Sequence, residues 1–270
     1  MLAVTKLVAG VVGNSYALIA DAVESTADIF SSLIVWGGLR VAGRAPDEEY
    51  PFGYGKAEAL SAAVVALMLL GAAVGIAYQA VLEIHTPHST PAPWTLIVLA
   101  AVMATKWILA RRVRAVGADI GSRAVEADAW HHLSDTITST AAFVGISIAL
   151  WGGPGWESAD DWAALLATVI IAYNGTSMLR ASLRDLMDRM PGAEIVDPVR
   201  RAAEAVPGVL ATEKLAVRRT GMTYRVTLHV QTDPALPIRD AHVVGGMVKS
   251  AIREAVPRVD SVLVHLEPYE

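Results

Sequence analysis

Long apolar runs separated by short polar connections fill the first two thirds of the chain. Their spacing predicts helices over residues 15–42, 57–84, 94–112, 122–151 and 159–183. Each is near or above the ~20 residues that cross a bilayer. Residues 1–13 (MLAVTKLVAGVVG) read as the end of a further span, shortened at this methionine and too short to cross alone. After Asp188 the pattern changes. PGAEIVDPVRRAAEAVPGVL reads as an amphipathic helix, and ATEKLAVRRT and TYRVTLHVQTD alternate like two strands about a turn at Gly221. PIRDAHVVGGMVKSAIREAV reads as a second helix and VDSVLVHLEP as a last strand. The expected architecture is a six-span α-helical membrane bundle over 1–185, its first span truncated. A small α+β ferredoxin-like (αββαβ) cytoplasmic domain follows over 186–270.

Composition supports the membrane reading, since 54% hydrophobic residues and a mean hydropathy of +0.43 exceed what an ordinary soluble domain carries. A net charge of -5 leaves no basic surface for nucleic acid. Cysteine is absent, so any bound metal must be held by nitrogen and oxygen. Orientation comes from the connections. Arg40, Arg44 and Lys56 flank one, Arg111, Arg112, Arg114 and Arg123 another, and Arg180, Arg184 and Arg189 follow the last span. EIHTPHSTPAPW and WGGPGWESADDW hold no lysine or arginine. The positive-inside bias therefore puts both termini in the cytoplasm, with Trp94, Trp151, Trp156 and Trp162 at the outer boundary.

A repeat inside the apolar text brings in chemistry. ADAVESTAD (residues 20–28) and ADAWHHLSD (127–135) share the form A-D-A-x-x-x-x-x-D. Ionisable groups at bilayer depth are costly and mark function. Glu24/Asp28 and His131/Asp135 are both i, i+4 pairs, so each pair projects from one helix face. Facing one another across two oppositely directed spans, they supply three carboxylates and one imidazole, enough for a tetrahedral divalent cation. The same unit in two orientations predicts a 3+3 inverted repeat with its site at the repeat interface. Lys6 and Lys106 are the lysines within the spans, too few to neutralise Asp21, Glu24, Asp28, Asp128 and Asp135. Asp21 and Asp128 read as outer or access-path carboxylates, and His132, about 100° round from His131, as a helix contact.

With these residues in place, the whole chain resembles the cation diffusion facilitator family. SYALIADAVESTAD is similar to its second-span motif, DAWHHLSD to its fifth-span motif and PFGYGKAEAL to its inner loop. The resemblance implies a homodimer in the lipid bilayer of a cell inner or plasma membrane. It would export Zn²⁺, or another divalent ion such as Fe²⁺, Mn²⁺, Cd²⁺ or Co²⁺, in exchange for protons; such a chain is not an enzyme. Glu24, Asp28, His131 and Asp135 fall on the family's transport site. Glu24 stands where many members have Asp or His, and an oxygen-rich set tolerates harder ions better. His229, His242, His265 and Glu267 match the family's cytoplasmic metal site, and His265 and Glu267, two apart on one strand, share a face. The family's inner-loop metal site uses histidines where this chain has Tyr50 and Tyr54, so Asp47 is left in a degenerate site. Lys56 and Asp188 resemble a charged contact between that loop and the start of the C-terminal domain.

Two other classes compete. A metal-sensing or scaffold protein with a vestigial transport core would share these motifs. An intramembrane metalloenzyme would need an H-E-x-x-H pattern, which the sequence lacks.

Overall fold

The computed structural model describes residues 2–85, 90–120, 139–153 and 155–269. Helices α1 (Leu2–Val12), α2 (Tyr16–Ala42), α3 (Lys56–His85) and α4 (Trp94–Ile120) come first. Then follow α5 (Ser139–Trp151) and α6 (Ala159–Leu186). The expected helix over 122–151 is described only from Ser139 onward. The chain forms two compact units: Met1–Ile34 with Val64–Leu179, and Val35–Ala63 with Arg180–Glu270.

The core of the first unit is built from small residues. Ala17, Leu18 and Ala20 of α2, Ala80 of α3, Leu99 of α4, Ala142 and Ile146 of α5 and Ala164 of α6 are buried together. Alanine lets helix backbones approach closely, which is how spans associate when lipid is as apolar as their side chains. The outer surface is apolar as well: Leu67, Val74 and Tyr78 of α3, Ile97 of α4 and Val169 and Tyr173 of α6 are each more than half exposed. α3 and α6 are long and apolar enough to cross a bilayer. At 27 residues, α2 spans about 40 Å and so exceeds the ~30 Å hydrocarbon layer despite its charges.

The start of α2 is capped twice. Ser15 Oγ accepts from the Leu18 N–H at 3.2 Å. The buried Asp160 carboxylate accepts from the Tyr16 N–H at 2.7 Å and from Ser15 Oγ at 3.0 Å. A carboxylate here also offsets the positive end of the helix dipole.

The C-terminal part of the second unit runs α7 (Ala193–Glu204), β1 (Ala211–Thr220), β2 (Thr223–Thr232), α8 (Ile238–Ala255), β3 (Val259–Pro268). The sheet order is β1-β2-β3, with β1 and β2 antiparallel and β2 and β3 parallel. Gly221, at φ 62°, opens the two-residue turn between β1 and β2, where positive φ fits the strand twist and glycine adopts it freely. Alternation decides the layers. Val226, Leu228 and Val230 of β2 and Val262 of β3 are buried with Val199 and Ala203 of α7 and Val244, Val248 and Ile252 of α8. Both helices therefore cover one face of the sheet. The opposite face carries Arg225, Thr227, His229 and Gln231 of β2 beside Leu263, His265 and Glu267 of β3.

In the same unit, the loop between α2 and α3 is tied to β1 and the end of α6. Lys56 Nζ lies 3.1 Å from Asp188 Oδ2 and donates to the Leu186 carbonyl at 3.1 Å. Arg219 pairs with Glu58 at 3.0 Å and Arg218 with Asp188 at 3.4 Å. Phe52 takes the guanidinium groups of Arg218 and Arg225, each 5.6 Å from its ring centroid. Arg218 and Arg225 are cross-strand partners, and the aromatic ring relieves a like-charge pair that would otherwise repel.

Candidate metal centres

Near the centre of α2, Glu24 is 7% exposed. Asp28 lies one turn further along the same helix, and its side chain is outside the description. His131 and Asp135, with Asp128 and His132, fall at 121–138, outside the described residues.

Asp21 departs from the access-path role its sequence position suggested. Lys6 reaches across from α1, with Nζ 2.5 Å from Asp21 Oδ2 and both side chains buried. It also donates to Ser25 Oγ at 2.8 Å, while Ser139 Oγ of α5 donates to Asp21 Oδ1 at 2.7 Å. This carboxylate holds α1, α2 and α5 together. A buried charge with an opposite partner and further hydrogen bonds is the arrangement under which such a group is tolerated.

On the open face of the C-terminal sheet the parallel register sets His229 beside His265, with ring centroids 4.7 Å apart. Glu267 follows two residues along β3. His229 Nδ1–H donates to Glu267 Oε1 at 2.6 Å, and His265 Nε2 lies 3.5 Å from the same oxygen. One donor atom from each of the three falls within 4.8 Å of the others. Zinc at about 2.0–2.2 Å from nitrogen and oxygen needs donors roughly 3.3 Å apart, so the donors must draw closer to hold an ion. Glu267 is partly buried and His265 largely exposed, which leaves the site open to solvent.

Among the described residues, His242 is not part of the group whose donors lie within 4.8 Å of one another. It is exposed on α8, whose Ala241, Val244, Gly245, Val248 and Ile252 are its buried residues. α8 packs on the sheet face opposite His229. Lys214 is the neighbour that strand alternation did not reveal. Its Nζ lies 3.9 Å from Glu267 Oε1, delivered by an irregularity in β1 between Glu213 and Ala216. The visible signal was the interrupted alternation in TEKLAV, where two charged residues adjoin.

Desolvation raises the Glu267 carboxyl, but the His229 hydrogen bond and the charges of His229, Lys214 and His265 outweigh it and hold the group below its ordinary range. A lowered folded value stabilises the fold above the unfolded pKa, and that stability is lost as pH falls through the folded value. Glu267→Gln should therefore lower the thermal midpoint near neutral pH. The gap to wild type should close as the pH falls through and below the ordinary carboxylate range. Melting scans in a pH series check this, and a gap that persists in acid contradicts it.

In the inner loop both oxygens of Asp47 are taken. Oδ1 accepts from the Tyr50 N–H and Oδ2 from the Tyr54 hydroxyl, each at 2.7 Å. These bonds lower the Asp47 pKa, the tyrosine hydrogen bond most, and raise that of Tyr54.

The helices of the first unit carry apolar outer surfaces, and His229, His265 and Glu267 form a group that could hold a metal ion. The chain matches the cation efflux transmembrane domain over residues 1–187 and the cation efflux protein cytoplasmic domain over 191–269. It belongs to the cation diffusion facilitator family, whose members are metal transporters, and is an integral membrane protein of divalent-cation efflux. It is similar to the manganese efflux system protein MneP of Bacillus subtilis, 28% identical over 98% of this chain and 90% of the relative. It is 31% identical to the cation-efflux pump FieF of Cronobacter sakazakii over 99% of this chain and 88% of the relative. Among solved structures, a nickel form of a MamM CTD variant is 26% identical, covering 29% of this chain and all of that one, with a TM-score of 0.29.

Proposed function

We propose that this protein exports a divalent transition metal from the cytoplasm in exchange for protons, through a site formed by Glu24, Asp28, His131 and Asp135. The observation that carries the reading is the burial of Glu24 in α2, within a chain of the cation efflux family. Six spans over 1–185, with both termini cytoplasmic, put these ligands at the bilayer midplane, and the 186–270 domain joins two copies into a homodimer. Zinc is the family's default cargo. The three-carboxylate set and the likeness to a manganese efflux protein make Mn²⁺ the second ion to test.

Carboxylates and a neutral imidazole hold metal only when deprotonated, so metal and protons compete for the same atoms. His131 is the one imidazole of the set, the side-chain type whose unperturbed pKa lies nearest neutrality. With the site open inward, metal displaces protons; with it open to a more acidic outside, protons displace metal. His229, His265 and Glu267 bind a second metal that reports the cytoplasmic concentration, while Asp47 contributes to no metal site. Proteoliposomes with an imposed pH gradient test the exchange. Zn²⁺ or Mn²⁺ flux should rise with the gradient and stop when a protonophore collapses it. Flux indifferent to the gradient removes proton coupling.

A further inference from the structure

Lys214 sits where β1 departs from regular pairing, and its φ of 47° lies in the left-handed region. Lysine gains nothing from that conformation, which costs a side chain with a Cβ. Such irregularities commonly re-aim a side chain, and this one brings an ammonium to 3.9 Å from Glu267 Oε1. That is the oxygen that already accepts from His229. We infer that Lys214 is an internal competitor of the metal at His229, His265 and Glu267, a largely exposed cation held near the carboxylate by the backbone, which sets the affinity of this site low. The inference rests on reading these three residues as a metal site.

The chemistry is direct. A protonated ammonium has three N–H donors and no lone pair, so Lys214 cannot serve as a ligand. At 3.9 Å it acts on the Glu267 carboxylate through charge rather than a hydrogen bond. An arriving divalent ion must share the carboxylate with that charge and sit near a like charge. The site would fill only at high cytoplasmic metal, a threshold suited to a sensor rather than a permanent structural ion.

Zn²⁺ titration of the full-length protein, with bound metal measured by equilibrium dialysis, tests this in wild type, Lys214→Met and Lys214→Arg, each with and without His265→Ala. Methionine keeps the length and removes the charge; arginine keeps the charge. Wild type should show a weak class of sites that His265→Ala deletes. Lys214→Met should tighten that class about ten-fold, roughly the effect of one neighbouring charge on a divalent ion in near-aqueous surroundings. Lys214→Arg should leave it unchanged, and the gain should vanish in the His265→Ala background. If His265→Ala deletes the class but Lys214→Met binds like wild type, the competitor role is overturned while the metal site stands. If His265→Ala removes no metal, the site reading fails and the inference with it.

Discussion

Proteoliposomes carrying Asp28→Ala are expected to take up no divalent metal above background, and Asp135→Ala should behave alike. Each change removes one of four proposed donors together with its negative charge. Losing a mere hydrogen-bond partner of a metal ligand already costs about 10–100-fold in affinity, so losing a ligand should abolish flux. Alanine is also the milder change for folding, because it takes a costly charge out of the membrane interior. The variants should therefore purify as folded dimers with unaltered melting, which separates lost transport from lost structure. Asp47→Asn, at a loop residue that contributes to no metal site, is the positive control and should retain turnover. Full transport by Asp28→Ala would refute the midplane site.

The second large effect concerns Lys6. Lys6→Met strands Asp21, whose side chain is 2% exposed, as a buried carboxylate whose cation is gone. Removing one partner of a buried pair costs about 3–5 kcal/mol, enough to lower the thermal midpoint in detergent by many degrees. The double variant Lys6→Met/Asp21→Asn removes both charges and keeps an acceptor for Ser139 Oγ, so it should regain most of the loss. Equal melting of wild type and the single variant would show that the pair contributes nothing to stability.

The C-terminal unit was largely legible in the sequence because its signals are local. Period-two alternation marked β1 and β2, Gly221 marked their turn, and the i, i+2 spacing of His265 and Glu267 put both on one face. What escaped depends on pairing between distant segments. His229 meets Glu267 only through the parallel register of β2 and β3. His242 was grouped with them from its residue type, while its helix packs on the other side of the sheet through Val244 and Val248. Lys214 escaped because one irregular strand position defeats alternation. In the membrane unit, charge counting found too few lysines for the carboxylates but could not assign Lys6 to Asp21 until α1 packed against α2. The loop around Phe52 is short in sequence, yet its place in the second unit follows from Arg218 and Arg225, more than 150 residues away.

The shared face of His229, His265 and Glu267 also bears on strand register. Sliding β3 by a single residue would turn the hydrophobic side of the strand outward and carry both of its metal donors into the interior. The strand register that buries Val262 is thus the same register that keeps His265 and Glu267 on the open face. A protomer with that strand out of register would, by the same geometry, lose its candidate metal group along with its core.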